Sequence, residues 1–516
     1  MARRAQSQRG NCETRSEMVD EIVHQGNAVG DALRFLRRYW LRVLAVSALV
    51  IVPCLWHRHI EAGDLGSHVY NAWLVQLIAR GQAPGLYVTP QWNNILFDVT
   101  LQHLANWVGF PAAEKIAVSG CALIFFWGVF GFVSAVTDQA PWTLTPCIAM
   151  LAYGYSFNMG FMNYYLSIGL GSLCLALVWR DGARNWIFAL PILALVTAAH
   201  PMGLIWVSAV IAYRLIRPAL PGALKLVVPL TVVVAFGAVR WFVHRSTTVI
   251  GDFYRGEPFR AIGVDQLVVY GTRYEFLGWT ALIFGITCFV WDAAARLKDA
   301  AHWRRLELPL ELYLALFCAA SFAPENIRLS IHSAWVGLLV ARLTAILAIV
   351  GLCVLGCMRP RKWHLIGFAS ISIIFFVFLY QDTGTLSGTE ANAEALLSNL
   401  PPGTRIVPNI FADPESRITF IAHLADRACV TRCFVYSNYE PSSNQFRVRV
   451  AKGGSWIASD TPDDANDMQG GGYEIQQADL PLKLLYQCDR EDWTKLCLRD
   501  LAAGQITGKF GFRPDE

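Results

Sequence analysis

The residues best suited to chemistry lie in one stretch, 61 to 107, which contains no apolar run long enough to cross a bilayer. Its acidic and histidine side chains are Glu61, Asp64, His68, Asp98 and His103. Helical spacing predicts that Glu61, Asp64 and His68 share one face of a helix. A carboxylate there can take a proton from an attacking hydroxyl, and a histidine can stabilise developing charge. A helix cap followed by solvated surface residues has the same spacing, so both interpretations stay open.

Polar residues also interrupt the apolar part of the chain. His200-Pro201 breaks a long apolar stretch, which fits either a helix-ending turn or a site. Arg342 lies well inside the apolar run from 334 to 356. Because a buried guanidinium costs roughly 2.5 to 3.5 kcal/mol on insertion scales, Arg342 must pair within the protein or reach an aqueous cavity. Arg328 is shallower, and Glu325 could balance its charge.

The composition indicates the class of protein that positions these residues. The chain has 516 residues, of which 54% are hydrophobic and 16% charged, and its mean hydropathy is +0.38. Soluble domains carry roughly a quarter charged residues. Repeated apolar runs predict a mainly α, polytopic helical membrane protein with about eleven transmembrane helices. The formal charge of +4 is too small and too dispersed to suggest nucleic-acid binding.

Charge patterning predicts the topology. Four arginines between 34 and 42 flank the first apolar run, which has no cleavage site and therefore reads as an uncleaved helix. They place residues 1–39 in the cytoplasm and the loop 57–114 outside, because basic residues stay on the cytoplasmic side. Within that loop, helical periodicity over 61–80 and 95–108 predicts helices lying along the membrane interface. The transmembrane domain is expected to span 40–384.

Residues 385–516 have the composition of a soluble protein and lack any spanning segment. We predict a small α/β domain on the outer side, since the number of spans is odd. Its four cysteines are Cys429, Cys433, Cys488 and Cys497. In an oxidising compartment they would form disulfides, and we favour pairing in chain order among three possible connectivities. In a reducing compartment they could bind metal.

The order of these features resembles the GT-C glycosyltransferases. The resemblance rests on a first membrane helix, an outer loop with Gly63-Asp64-x-x-x-His68, a helix ending in Arg80-Gly81-x-x-Pro84, and many spans before an outer tail. It implies a polyprenyl-phosphate sugar donor, with Asp64 as general base or metal-linked carboxylate. The metal would be Mg²⁺ or Mn²⁺, and no other cofactor is implied. Many members have two adjacent acids where this chain has Glu61-Ala62-Gly63-Asp64, so Glu61 is a second candidate base.

The resemblance also implies roles for the remaining polar residues. The leaving lipid phosphate gains charge, and the candidates to stabilise it are His68, His200, Arg328 and Arg342. The outer loop containing Tyr254 and Arg255 is expected to gate the site, and Asp98 and His103 to line the cavity or its gate. The implied location is the outer face of the bacterial inner membrane. The implied partners are membrane lipid, the sugar donor, and a glycan, lipid or protein acceptor.

Two other classes of function stay open. The chain could be a transporter or lipid flippase, with Arg342 and His200 lining the substrate path, or a non-catalytic scaffold that displays the tail. No phosphate-binding loop, zinc-protease motif or dinucleotide fingerprint occurs in the sequence. The enzyme hypothesis predicts that Asp64 lies at the mouth of an outward cavity, within reach of Arg328, Arg342 or His200.

Overall fold

A computed structural model provides the fold of this chain. It describes residues 28–179, 182–220, 222–225, 227–246, 249–253, 262–329, 336–411, 416–418, 421, 423–489, 492 and 494–508. Tyr254 and Arg255, the expected gating residues, lie outside the described residues. The fold is mainly helical.

The α-helices and β-strands are numbered in chain order. The helices up to the middle of the chain are α1 (Ala28–Leu55), α2 (Leu65–Ala79), α3 (Leu96–Val108), α4 (Phe110–Thr137), α5 (Thr145–Ala152), α6 (Tyr155–Asn158), α7 (Met162–Val178), α8 (Ala183–Ala199), α9 (Pro201–Ile216), α10 (Gly222–Lys225) and α11 (Val227–Arg245). The later helices are α12 (Thr272–Ala295), α13 (Ala300–Phe322), α14 (Leu339–Gly356), α15 (Lys362–Leu397), α16 (His423–Ala428) and α17 (Pro462–Gly470). The strands are β1 (Leu86–Val88), β2 (Val249–Phe253), β3 (Pro324–Leu329), β4 (Thr404–Asn409), β5 (Cys433–Val435), β6 (Val448–Val450), β7 (Lys483–Gln487) and β8 (Leu496–Asp500).

Six helices in the described part of the chain are long and apolar enough to cross a membrane. They are α1, α4, the segment Pro201–Ala219 that begins with α9, α12, α14 and α15. Helices α7 and α8 are apolar but shorter, because breaks divide the apolar sequence around them. One break separates α6 from α7 at 159–161, and the other lies at His200, whose extended backbone separates α8 from α9.

The centre of the membrane part is closely packed. A Cβ added at Gly128 of α4 would lie 2.2 Å from the carbonyl oxygen of Gly169 in α7, so these two helices approach backbone to backbone. Beside this contact the rings of Phe125 and Tyr165 stack with centroids 4.4 Å apart. Close helix packing through small residues explains Gly169-x-Gly171 without a phosphate-binding role.

Helix α15 joins the membrane part to the C-terminal region. It runs for 36 residues without interruption, so the domain boundary expected at 384 falls inside a helix. At 1.5 Å per residue its length is about 54 Å, well beyond the roughly 30 Å hydrocarbon core of a bilayer. Its last turns carry Glu390 and Glu394 to the C-terminal region, where Glu390 pairs with Arg427 of α16.

The C-terminal region, residues 398–508, contains a four-stranded sheet of order β5-β4-β7-β8. Strand β4 is parallel to both neighbours, and β7 pairs with β8 antiparallel. Disulfides join Cys429 to Cys433 and Cys488 to Cys497. Strand β6 lies outside this sheet and pairs with β1 of the first outer loop, with Leu86 opposite Val450. The loop that contains β1 and the C-terminal region therefore share a two-stranded sheet.

Helix α2 departs from the sequence-based expectation. We expected an amphipathic helix lying along the membrane interface, but ten of its 15 residues are buried. The C-terminal region covers it: Trp73 stacks on Phe434 with centroids 5.6 Å apart, and the Val435 N–H donates to the Tyr70 hydroxyl at 3.0 Å. Apolar residues on several faces of α2 are therefore explained by protein packing instead of lipid contact.

Candidate active site

A cavity of about 800 Å³ lies between the membrane helices and the C-terminal region. Its walls come from the start of α2, the break between α6 and α7, the α8–α9 break, the start of α14 and the C-terminal stretch around 439–446. Asp64, His68, His200 and Arg342, which the sequence singled out separately, all line it. The fold therefore brings together side chains separated by up to 278 residues in the chain.

Asp64 is held at the N-terminal end of α2 by backbone contacts with the α6–α7 break. The N–H groups of Gly63 and Asp64 donate to the carbonyls of Asn158 and Met159 at 2.7 and 3.0 Å. A Cβ added at Gly160, whose φ is +77°, would lie 2.4 Å from the Asp64 nitrogen. The contact requires glycine, and this is how the helix break positions the carboxylate.

One oxygen of the Asp64 carboxylate, Oδ1, is buried without a hydrogen-bond partner among the described residues. The nearest cation to this oxygen, Nε2 of His423, is 4.0 Å away. Burial raises the pKa of Asp64 above its ordinary value, while the positive charges of His423, His68 and Arg342 oppose the rise. A carboxylate with a raised pKa is a better proton acceptor near neutral pH.

His68 faces Asp64 as half of a histidine–aspartate pair. Its Nδ1 lies 2.7 Å from Oδ1 of Asp98, and the other Asp98 oxygen accepts from Asn163 at 2.6 Å. Burial opposes the charged imidazole, but Asp98 outweighs it and raises the pKa of His68 to about 9. Asp98 thus orients and charges His68 and is not itself among the residues that line the large cavity.

The C-terminal region supplies a second pair that the sequence reasoning missed. In α16, Nδ1 of His423 lies 2.7 Å from Oδ2 of Asp426, and both side chains are buried. Burial again opposes the charged form, and Asp426 raises the pKa of His423 to about 9. The spacing His423-x-x-Asp426 on one helical face was the available signal, but nothing in the sequence brought it to Asp64. Two imidazolium groups consequently flank the Asp64 carboxylate at neutral pH.

Glu440 is a further carboxylate in the cavity wall that the sequence did not single out. It follows β5 and accepts hydrogen bonds from the Ser67 hydroxyl and the Asn71 amide of α2. Burial raises the pKa of Glu440 to about 7, with the positive charge of His68 opposing the shift. The C-terminal region therefore contributes the carboxyl group of Glu440 to the cavity wall.

Arg342 and His200 form the membrane side of the cavity. Nη1 of Arg342 donates to the Gly337 carbonyl at 2.7 Å, and its guanidinium lies 4.6 Å from the centre of the Phe161 ring. Its Nε has no hydrogen-bond partner among the described residues. His200 caps α9, since its Nδ1 accepts the Met202 N–H at 3.2 Å. Arg342 thus retains a donor that a ligand in the cavity could use.

Three expected site residues lie elsewhere. Helix α2 begins at Leu65, so Glu61 precedes it and does not share a helical face with Asp64. Glu61 is buried instead beside Arg427, whose Nη2 lies 3.4 Å from Oε2. Arg328 pairs through β3 with Ile250 of β2 and is not among the cavity-lining residues. His103 is exposed on α3 and also lies outside the cavity wall.

The surroundings of Asp64 do not fit a metal ion. Among the described residues, Asp64 does not belong to a group of three ligand side chains close enough to hold an ion, and the neighbouring imidazoles of His68 and His423 already pair with Asp98 and Asp426. The potential metal-ligand group found among the described residues is a different one, His59, Glu390 and Glu394. Its acids already pair with arginines, Glu390 with Arg427 and Glu394 with Arg58 at 2.7 Å. Asp64 is therefore treated below as a base without a metal.

The arrangement suits a reaction in which a proton leaves one group while negative charge develops on another. Asp64 can accept the proton, and Arg342, with its unused donor, can bind an anion in the same cavity. Helix breaks form two of the walls, which lets backbone and polar side chains face the cavity between apolar helices. No protein-family model, no curated protein and no solved structure matches this chain.

Proposed function

We propose that the chain is an integral membrane glycosyltransferase that moves a sugar from a polyprenyl-phosphate donor to an acceptor hydroxyl. The observation that carries the proposal is the shared cavity: a carboxylate without a hydrogen-bond partner, Asp64, and an arginine with an unused donor, Arg342, line the same space of about 800 Å³. The reaction needs a proton acceptor and an anion-binding group at the two ends of one transferred sugar.

Asp64 is the base in this mechanism. The acceptor hydroxyl loses its proton to Asp64 as its oxygen forms a bond to the anomeric carbon of the donor. The bond between the anomeric carbon and the phosphate oxygen breaks, and the phosphate leaves with the electron pair. Because His68 and His423 are cationic, they favour ionised Asp64 before the reaction and offset the cost of burying it.

Arg342 is the phosphate-binding group, assisted by His200. It lies in the first turn of α14, one of the helices apolar enough to cross a membrane, at the depth where a lipid phosphate would sit. Guanidinium–phosphate hydrogen bonds are charge-assisted and strengthen as the leaving phosphate gains charge. The apolar helices around the cavity provide a surface for the polyprenyl chain.

The topology is part of the proposal. About eleven spans place the N-terminus in the cytoplasm and the C-terminal α/β region outside, at the outer face of the bacterial inner membrane. Beyond the six apolar helices, α11 and α13 have 19 and 23 residues, long enough at 1.5 Å per residue to cross the hydrocarbon. Two disulfides in the C-terminal region agree with an oxidising compartment.

A transporter or lipid flippase is the second candidate, and the helix breaks favour it. Interrupted helices whose ends line a cavity are common in transporters, and here both the α6–α7 and α8–α9 breaks do so. In this function Arg342 and His200 would bind the headgroup phosphate during its passage. The Asp64 carboxylate in the same cavity, whose buried oxygen accepts no hydrogen bond from the described residues, is better explained by proton abstraction.

The test uses the full chain in lipid nanodiscs with radiolabelled polyprenyl-phosphate sugars. Wild type is expected to release labelled product, Asp64→Ala to lose about 10²- to 10⁴-fold of the rate, and Arg342→Ala to weaken donor binding. His103→Ala, an exposed position on α3, is the control and should match wild type. If the chain flips lipid in proteoliposomes and transfers no sugar from any donor, the flippase function would be supported and the glycosyltransferase function rejected.

A further inference from the structure

One short stretch of the C-terminal region forms the wall of the cavity opposite the membrane helices. Between β5 and β6 the chain places Tyr439, Glu440, Gln445 and Phe446 along the cavity. The stretch is fixed to the first outer loop: the Thr89 N–H donates to the Arg447 carbonyl at 2.8 Å, next to the β1–β6 pairing. Its side chains are therefore held at a constant distance from the helix that carries Asp64.

The side chains of this wall suit a ring that bears hydroxyl groups. The Tyr439 and Phe446 rings lie 6.2 Å apart at 74°, so two aromatic faces of different direction border the same space. The faces of aromatic rings carry partial negative charge and attract the weakly positive C–H groups of a sugar ring. The Glu440 carboxylate and the Gln445 amide offer acceptors and donors for hydroxyls, as in polar ligand sites with few well-placed groups.

The charge on this side argues against an anionic acceptor. Asp64 and Glu440 both line it, and the two nearby imidazoles are each engaged by an aspartate, His68 by Asp98 and His423 by Asp426. A phosphate or carboxylate on the acceptor would meet the Asp64 and Glu440 carboxylates, and the His68 and His423 imidazolium groups that could offset this repulsion already pair with Asp98 and Asp426. Hydroxyl donors, by contrast, make charge-assisted hydrogen bonds to carboxylates.

We propose that Tyr439, Glu440, Gln445 and Phe446 form the acceptor subsite and that the acceptor is a neutral glycan, whose sugar ring packs against Phe446 and Tyr439 while Glu440 and Gln445 bind its hydroxyls. The proposal rests on the glycosyltransferase function proposed above. It assigns the C-terminal region a direct part in substrate choice. It also divides the cavity into a donor side formed by α14 and α9 and an acceptor side formed by this stretch.

The first experiment measures transfer by the full chain in nanodiscs to three acceptors: a neutral oligosaccharide, phosphatidylglycerol and a serine-rich peptide. Transfer to the oligosaccharide is expected, and Phe446→Ala and Glu440→Gln should each raise its KM at least 10-fold with the donor KM unchanged. Asn444→Gly is the matched control, because Asn444 is exposed in the same stretch and its φ of +60° is tolerated by glycine. Transfer to phosphatidylglycerol or peptide alone would overturn the proposal, as would variants with unchanged acceptor KM.

The second experiment separates this inference from the function on which it rests. Equilibrium dialysis with labelled neutral oligosaccharide needs no donor and no turnover. Binding by wild type that falls at least 10-fold in Phe446→Ala, with an unchanged melting temperature, supports the subsite even if no donor reacts. A different result would reject the glycan acceptor but support the glycosyltransferase function. In that result, donor cleavage depends on Asp64 and no oligosaccharide binds at millimolar concentration.

Discussion

Glu61 and Asp64 are three residues apart, and each meets a side chain of α16, yet their surroundings differ. Glu61 adjoins a void of only about 20 Å³ and lies beside Arg427, which also contacts Glu114 at 2.5 Å and Glu390. Asp64 opens onto a cavity of about 800 Å³, with its nearest cation 4.0 Å away. One acid is enclosed in an ion cluster, and the other is left with room for a substrate.

The comparison teaches that burial and a raised pKa do not identify a catalytic acid by themselves. Burial raises the pKa of Glu61, as it does that of Asp64, and Glu390 adds to the effect on Glu61. The Arg427 cluster joins the first outer loop, α4, α15 and the C-terminal region, which is a structural task. Space beside the carboxylate, not its pKa, separates the two sites.

The largest expected effect concerns the Arg427 ion cluster that encloses Glu61. Arg427→Ala leaves three buried carboxylates without their shared cation, and removing one partner of a buried ion pair typically costs about 3 to 5 kcal/mol. Thermal unfolding in detergent should therefore show a clear fall in melting temperature. Arg432→Ala, an exposed arginine shortly after α16, serves as the control and should leave it unchanged. Equal melting temperatures for the two variants would mean that the Arg427 cluster does not stabilise the fold.

The next prediction concerns pH and the two histidine–aspartate pairs next to Asp64, His68 with Asp98 and His423 with Asp426. The pKa values of His68 and His423 are raised from 6.5 to about 9, so their protonated forms stabilise the fold. This contribution is fully present below pH 6.5 and is lost as the pH rises through about 9, a few kcal/mol at most for each histidine. The melting temperature should fall between pH 7 and 10, and the fall should be smaller in the double variant His68→Gln, His423→Gln. A flat wild-type profile would contradict the assignment.

A smaller effect is expected from Asp426→Asn, which acts on Asp64 only through His423. Loss of the Asp426 charge weakens protonation of His423, and Asp64 then loses one of the cations that oppose the rise of its pKa. We expect transfer to fall by up to about tenfold on the acidic side of the pH–rate profile, where less Asp64 is ionised, which corresponds to about 1.4 kcal/mol for a shift of one pKa unit. The acidic limb of the pH–rate profile should also move to higher pH. A lower rate with an unmoved profile would indicate a structural role.

Sequence reasoning located part of this site because local rules apply there. Arg342 in an apolar run was expected to pair within the protein or reach a cavity, and His200 before a proline to end a helix or belong to a site; both line the cavity, and His200 also caps α9. The approximate bounds of α3 also followed from periodicity. Disulfides join the cysteines in the order that was favoured from sequence.

The rest depends on contacts between distant parts of the chain. Glu440 meets Ser67 across 373 residues, and neither spacing nor composition encodes that contact. Strand β6 was expected within the C-terminal region but pairs with β1, because the first outer loop offers an edge close by. Helix α2 was expected at the lipid surface because the segment that covers it, around Val435, lies more than 300 residues later in the chain. Glu61 and Asp64 were expected to share a helical face, but α2 begins at Leu65 and both residues precede it.

The most direct test compares the two acids in one assay. Sugar transfer from a polyprenyl-phosphate donor should be measured for wild type, Asp64→Asn and Glu61→Gln in the same nanodiscs, with melting temperatures recorded alongside. We expect Asp64→Asn to lose about 10²- to 10⁴-fold of the rate with its melting temperature maintained, and Glu61→Gln to stay within about threefold of wild type, since it keeps the shape and removes a charge that burial already disfavours. Equal rates for the two variants, or a greater loss in Glu61→Gln, would contradict the assignment of Asp64 as the base.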